Sequence, residues 1–173
     1  MKKKPFLMSA ITLGVFLSIF MVAEMAFAND ALAETLTGPL KPSSKDKCPV
    51  CGMLISPFPQ WNAQIIFKDG SYAFFDGPKD MFKYYLNVPK YDKLHTQSDI
   101  SEVYVTEYYS AKVTKALDVT FVTGSDVMGP MGKELVAVSN DKVKTFMADH
   151  KGDKGLKFSE VTEADIPGGH MHH

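Results

Sequence analysis

Both cysteines of the chain lie in one short motif, CPVCGM at residues 48–53. Two thiolates separated by two residues can bind one metal ion or form a disulfide with each other, because the short spacer lets the backbone bring both sulfurs to one side. The thioether of Met53 adds a third soft donor, and soft donors favour Cu(I) over hard ions such as Mg²⁺ or Ca²⁺. Cys48, Cys51 and Met53 are therefore candidate ligands, although a redox dithiol and a structural disulfide have the same spacing.

The residues after this motif indicate the local structure that must hold it. Pro57 and Pro59 exclude a long helix, so residues 48–59 are predicted to form an irregular loop. A thioredoxin-type C-x-x-C begins a helix after a buried strand. The prolines therefore disfavour a thioredoxin-like redox site.

A second unusual stretch is GSDVMGPMG at residues 124–132, which carries Met128 and Met131. Its glycines and proline bring the backbone close to a neighbour or form a turn. Methionine more often fills a gap in a hydrophobic core, and Gly-Pro-Met-Gly is also compatible with the turn of a β-hairpin. Met131 and Met128 are thus candidate thioether ligands, with a structural turn as the alternative.

The C-terminus is rich in imidazole and thioether groups, with His170, Met171, His172 and His173 in succession. Short histidine-rich tails bind transition metals, often loosely, and a tag remnant has the same composition. His170 and His172 are candidate metal ligands on this basis. The isolated His95 and His150 are expected to be surface residues.

The segments that position the first motif lie in residues 48–109. Strand-like patterns at 61–67 and 71–75 flank a Lys-Asp-Gly turn and predict a hairpin. Asp76 is positioned to cap a helix after the hairpin, and a third strand is predicted at 100–109.

Residues 110–163 repeat this order of elements. Strands are predicted at 117–122 and 134–138, followed by a helix capped by Asn140 and a strand at 156–161. We therefore predict an α+β fold of two tandem ββαβ units packed as one body. Residues 164–173 form the His/Met-rich tail.

The beginning of the chain has the features of a secretory signal. Lysines precede an apolar run at residues 6–23, and small residues follow. Residues 1–28 are predicted to be a signal peptide, with cleavage after residue 28 or 33, and retention as an anchor is the alternative. Residues 29–47, rich in Pro, Gly, Ser, Thr and Lys, are predicted to be a flexible leader.

The composition excludes several classes of function. Residues 29–173 contain 16 lysines, no arginine and 19 acidic residues, a net charge of −3, which is unsuited to binding nucleic acid. Asp76, Asp80 and Asp126 are interpreted as a helix cap, a solvated helix residue and a loop residue. Neither a nucleophile elbow nor a phosphate-binding glycine loop is present, so we expect a protein that is not an enzyme.

Taken together, the motifs resemble the NosL family of nitrous oxide reductase accessory proteins. The resemblance is carried by Cys-x-x-Cys-Gly-Met after an exported leader, by the Lys-Asp-Gly hairpin leading to Phe75 and Asp76, and by GSDVxGPMGxEL at residues 124–135. It spans residues 47–161.

The resemblance implies a periplasmic chaperone that carries Cu(I) for maturation of the reductase copper sites. Its implied partners are the nitrous oxide reductase apoprotein and an ABC-type maturation complex. By motif, Cys48, Cys51 and Met53 correspond to a first soft cluster and Met131 to the methionine of the Gly-Pro-Met-Gly loop. Met128 lies at a variable position of the family pattern.

Two departures from the family pattern are visible. No cysteine lies near residues 26–34, so a lipid anchor of the kind common in the family is not expected. Lys133 follows Gly-Pro-Met-Gly where family members often have histidine, and lysine offers no soft donor at neutral pH. We hypothesise that an imidazole of the C-terminal tail replaces it.

Overall fold

The computed structural model describes residues 38–168, which form short helices and antiparallel sheets. The predicted signal peptide, residues 29–37 of the predicted leader, and His170 and His172 lie outside the described residues. No helix within 38–168 is long and apolar enough to span a membrane. In chain order the elements are β1 (Ala63–Phe67), β2 (Tyr72–Phe75), α1 (Pro78–Leu86), α2 (Val88–Tyr91), β3 (Ile100–Thr106), β4 (Val113–Lys115), β5 (Val119–Thr123), β6 (Met128–Gly129), β7 (Gly132–Lys133), β8 (Val136–Ser139), α3 (Val143–Asp149) and β9 (Lys154–Leu156).

The first sheet has the strand order β2-β1-β3-β4, and all neighbours are antiparallel. The predicted hairpin closes at Gly70, whose N–H donates to the carbonyl of Phe67 and whose φ of 84° suits glycine. Every residue of the central strand β1 is buried. The hairpin leads directly into α1, so the turn and β2 together set where that helix begins.

The second sheet has the strand order β8-β5-β9, again antiparallel. In the first sheet β1 lies between β2 and β3, and in the second sheet β5 lies between β8 and β9. In each group of three, the strand that comes first in the chain is the middle one. β4 and the small hairpin β6–β7 are additional elements that the sequence patterns did not predict. The α+β class predicted from the sequence is confirmed.

One hydrophobic core joins the two sheets. Phe82 of α1 packs edge-to-face on Phe121 of β5 with ring centroids 4.8 Å apart, and Phe158 lies 5.2 Å from Phe82. Phe82 and Phe121 are fully buried. Burial of each such ring stabilises the fold by about 1.5–3 kcal/mol, so α1 is held by both sheets.

Two predicted helix caps are wrong. The N-cap of α1 is Gly77, and the carboxylate of Asp76 instead contacts a cysteine thiol. The N-cap of α3 is Lys142, because the side chain of Asn140 is occupied in bonds with Thr120 and Lys157. Both side chains bond to residues distant in sequence instead of to a helix end.

The folded part begins before the cysteine motif. In residues 38–47, which were predicted to be part of a flexible leader, the N–H of Leu40 donates to Oε1 of Gln64 at 2.8 Å. The side-chain amide of Gln64 donates back to the carbonyl of Leu40 at 3.2 Å. This reciprocal pair attaches the incoming chain to β1.

His95 links the β1–β2 turn to the segment after α2. Its Nε2 lies 3.0 Å from Asp69 Oδ2 and its Nδ1 lies 2.7 Å from Asp92 Oδ2. The ring stacks on Phe67 at 4.1 Å. Hydrogen bonds to Asp69 and Asp92 raise the pKa of His95 above its ordinary value, because both carboxylates favour the imidazolium.

We expect the His95→Gln variant to lose part of the pH dependence of stability. A raised pKa in the folded state stabilises the protein below the unfolded pKa of about 6.5, and this contribution is lost as pH rises through the folded pKa. Thermal unfolding of both proteins from pH 5 to 9 measures the effect. The gap in melting temperature between wild type and His95→Gln should be widest at the acidic end, and a gap independent of pH would contradict the assignment.

Candidate metal centre

The cysteine motif forms a closed backbone loop. The N–H of Cys48 donates to the carbonyl of Met53, and the N–H of Gly52 donates to the carbonyl of Cys48, both at 2.8 Å. Gly52 has a φ of 78°, which a residue with a side chain adopts only with strain. A bridge between Lys47 and Leu54 closes the loop outside these bonds. As the spacing predicted, the Sγ atoms of Cys48 and Cys51 lie close together, within 4.8 Å of each other.

Each thiol contacts a carboxylate from the β2–α1 junction. The Sγ of Cys48 lies 3.6 Å from Oδ2 of Asp80, and the Sγ of Cys51 lies 3.3 Å from Oδ1 of Asp76. One donor atom from each residue lies within 4.8 Å of the other three. We call Cys48, Cys51, Asp76 and Asp80 the thiol-carboxylate cluster, a group whose atoms are close enough to share one metal ion.

The chain positions the two carboxylates by secondary structure. Asp76 follows β2 directly, and Asp80 lies four residues later in the first turn of α1. Asp76 lies outside the helix, two residues before its first residue, and the short connection through Gly77 keeps its carboxylate close to that of Asp80. Asp80 is also paired with Lys83, whose Nζ lies 2.8 Å from Oδ1, so its second oxygen is left towards Cys48.

Sequence reasoning missed both carboxylates. Asp80 was predicted to be solvated, and Asp76 to be a cap, yet each is only 2% exposed. A buried carboxylate needs partners because its transfer from water is costly. The available signal was the Asp-x-x-x-Asp spacing directly after the predicted hairpin, which places two acids within four residues at the start of the predicted helix.

The two sulfurs differ in depth and share one protonation state. Cys48 is 1% exposed, whereas Cys51 is exposed, and both are free thiols. Burial raises the pKa of Cys48 far above its ordinary value, and loss of water around the Sγ of Cys51 raises its pKa to about 11. Hydrogen bonds to the carboxylates favour the protonated thiols further. A catalytic redox dithiol needs a lowered thiol pKa, so this environment disfavours that alternative.

The candidate methionines differ in their exposure and in whether they line the cleft beside the cluster. Met131, 47% exposed, occupies the two-residue turn between β6 and β7 and lines a cleft of about 470 Å³ together with Cys51 and Asp80. Met53 is half-buried within the cysteine loop. Met128 is 58% exposed and does not line this cleft. The structure thus brings Met131 towards Cys51 and leaves Met128 outside the cleft.

The predicted histidine ligands His170 and His172 lie outside the described residues. The last described residues, Pro167 and Gly168, line the same cleft as Cys51 and Met131. Lys133 lines it as well.

The start of α1 is held by a residue from the second half of the chain. The carboxylate of Glu134 accepts the backbone N–H of Lys79, and it also accepts the N–H of Leu135 at 3.1 Å. A side chain on Gly77 would collide with this carboxylate. Gly77 therefore leaves room for the Glu134 carboxylate at the start of α1. The N–H that this carboxylate accepts belongs to Lys79, which lies between Asp76 and Asp80 in the sequence.

Comparison with known proteins identifies a family. The sequence model of the NosL family matches residues 39–166. The chain belongs to the NosL family. A solved structure similar to this NosL-family chain is the copper chaperone NosL from Shewanella denitrificans, at 28% identity with a TM-score of 0.63, covering 73% of this chain and 97% of that chain. No curated protein matches the chain.

Family membership settles two predictions from the sequence. The resemblance to NosL is confirmed, and it includes both the cysteine loop and the Met131 turn within residues 39–166. The expectation that the chain is not an enzyme is also confirmed, because the NosL family is one of copper chaperones.

We expect Cys51 of the reduced, metal-free protein to react slowly with iodoacetamide. With a pKa of about 11, roughly one thiol in a thousand is ionised at pH 8, and only the thiolate reacts. Mass spectrometry of intact protein against time gives the rate of the first alkylation, which should rise about tenfold per pH unit from pH 7 to 10. A rate that reaches its plateau below pH 8 would contradict the raised pKa of Cys51 and would support the redox dithiol instead. The Asp76→Asn variant, which lacks one neighbouring charge, should react faster at each pH.

Proposed function

We propose that this NosL-family protein is a periplasmic metallochaperone that carries Cu(I) to the copper sites of nitrous oxide reductase. The observation that supports it most is the pair of thiols, one buried and one exposed, within a cluster able to hold a metal ion. Family membership and the copper chaperone named among solved structures support copper as the cargo. The periplasmic address rests on the predicted signal peptide.

The ligand set is proposed from softness and position. Cys48 and Cys51 each lose the thiol proton to solvent when the ion binds and supply thiolates, which suit Cu(I) better than oxygen donors do. Met131 supplies a thioether from across the cleft that Cys51 lines. Met53, from the cysteine loop itself, is the next candidate, and Met128 ranks below both because it lies outside the cleft.

The aspartates have a different part in this proposal. In the metal-free protein Asp76 and Asp80 accept the thiol hydrogen bonds and so hold both sulfurs on one side of the loop. Carboxylate oxygens are hard donors and contribute less to a monovalent soft ion. They therefore orient the sulfurs while the sulfurs bind the ion.

Release follows from a low coordination number. A closed site of four protein ligands resists exchange, whereas two or three soft ligands leave a position for an incoming ligand. The exposed Cys51 provides that access. The nitrous oxide reductase apoprotein is the proposed recipient, with an ABC-type complex as a second partner.

The histidine tail remains part of the proposal as a source of an extra ligand. Gly168 lines the cleft, and His170 follows two residues later, within roughly 7 Å of extended chain. An imidazole there would replace the donor that Lys133 does not supply.

A Cu(I) titration of the reduced protein against a competing chelator, without oxygen, tests the binding site. We expect one tightly bound Cu(I) per chain, with the affinity reduced at least about a hundredfold in Cys48→Ser and Cys51→Ser and about tenfold in Met131→Leu. Met128→Leu is the matched control, because it removes a thioether from the same loop outside the cleft, and it should bind as wild type does. Full affinity without the cysteines would refute the site.

Removal of residues 169–173 tests the tail in the same titration. If the tail supplies a ligand, the shortened protein should bind Cu(I) about tenfold more weakly at unchanged one-to-one stoichiometry. Unchanged affinity and stoichiometry would exclude His170 and His172 from the site while leaving the cysteine site intact.

Delivery requires its own measurement. Copper-loaded protein mixed with copper-free nitrous oxide reductase should transfer Cu(I), and the copper content of the reisolated reductase should rise. Copper that stays on a tightly binding donor would contradict delivery to this enzyme without contradicting binding. The Cu(I)-chelator complex at equal free copper is the control for transfer through solution.

A further inference from the structure

The hairpin that carries Met131 is attached to α1 by a lysine side chain. The Nζ of Lys79 donates to the carbonyl of Met131 at 2.7 Å and to the carbonyl of Lys133 at 3.1 Å. These carbonyls lie on either side of Gly132 at the turn. A single ammonium group therefore binds the residue that presents the thioether and the second residue after it.

Lys79 is unusually buried for a lysine. It is only 6% exposed, and burial of an ammonium group is costly unless hydrogen bonds replace its water. The two turn carbonyls supply those bonds, and Glu134 places a carboxylate against the backbone of the same residue. Lysine donates three hydrogen bonds and accepts none. Its ammonium group is therefore suited to bind the two backbone carbonyls of the turn, which only accept.

The hairpin itself is too small to fix the position of its turn. β6 and β7 pair through only two residue pairs, Met128 with Lys133 and Gly129 with Gly132. A two-stranded hairpin is marginally stable in isolation even when it is longer. Met131, Gly132 and Lys133 are all exposed. The bonds from α1 therefore contribute to the position of the turn.

Lys79 also lies beside the thiol-carboxylate cluster. It immediately precedes Asp80 in α1, and it lines the same cleft as Cys51, Asp80 and Met131. Its side chain is thus the connection between the element that carries a carboxylate of the cluster and the turn that carries the thioether.

We propose that Lys79 is a positioning residue, whose ammonium group holds the Met131 turn so that the thioether reaches a Cu(I) ion bound at Cys51. This inference rests on the proposed function as a Cu(I) carrier. The expected direction of its effect is distinctive. A positive charge near a cation weakens binding by repulsion, so a purely electrostatic Lys79 would give tighter binding when neutralised. A positioning Lys79 gives weaker binding when neutralised.

The experiment is a double-mutant cycle in Cu(I) affinity, measured with a competing chelator without oxygen. Lys79→Leu should weaken binding about tenfold, as Met131→Leu does, and the double variant should lose about tenfold rather than the product of the two. Lys79→Arg retains the positive charge and several N–H donors and should stay within about threefold of wild type. Lys90→Leu removes an exposed lysine from the neighbouring cleft and should have no effect.

The outcomes separate this inference from the proposed function. Wild-type protein that binds no Cu(I) would overturn both. Wild-type protein that binds Cu(I), together with a Lys79→Leu variant of equal or higher affinity, would overturn only the positioning role. Additive losses in the double variant would overturn it as well, because Lys79 would then act independently of Met131.

A second measurement keeps the inference testable if the Lys79→Leu variant fails to fold. In protein labelled with ¹³C-methyl methionine, the Met131 signal, assigned with Met131→Leu, should shift when Cu(I) is added. In Lys79→Gln, whose shorter side chain does not reach both carbonyls, we expect that shift to be lost while the signal of the buried Met81 stays in place. An undiminished Met131 shift in Lys79→Gln would refute the positioning role.

Discussion

The first backbone N–H groups of an α-helix have no carbonyl partner within the helix. In α1 the carboxylate that accepts the N–H of Lys79 comes from Glu134, 55 residues further along the chain. The absence of a side chain at Gly77 makes room for it. Asp76 precedes this contact and Asp80 follows it, so the position of both acids depends on how the two halves of the chain meet. The cluster is in this sense a product of tertiary structure, although its cysteines come from one loop.

Local patterns were sufficient for much of the fold. The Asp-Gly turn and its flanking apolar runs predicted β1 and β2, which form as a hairpin. The α+β class followed from such patterns. The two predicted caps failed because Asp76 and Asn140 bond to residues distant in sequence, and a sequence pattern records only near neighbours. β6 and β7, with two residues each, are too short to show an alternation of apolar and polar residues.

The candidate site was predicted in part for the same reason. The C-x-x-C spacing identified both sulfurs, since two residues of spacer suffice to bring them together. The partners of those sulfurs are 25 and 32 residues away, and nothing in the local pattern marks an aspartate as buried. Lys79 was overlooked because a lysine at the start of a helix is usually a surface residue. Its role follows only from the two carbonyls that it contacts.

The unequal depth of the two sulfurs gives copper transfer an order. Under the proposed function an acceptor can approach only from the side of Cys51, because Cys48 is closed off by the core. The outer sulfur is then replaced first, while the inner sulfur still retains the ion. Under the proposed function the ion would pass through an intermediate shared by two proteins and not through free solution. Cys48 is then the last ligand to leave the ion, so release occurs only after a recipient has already bound it.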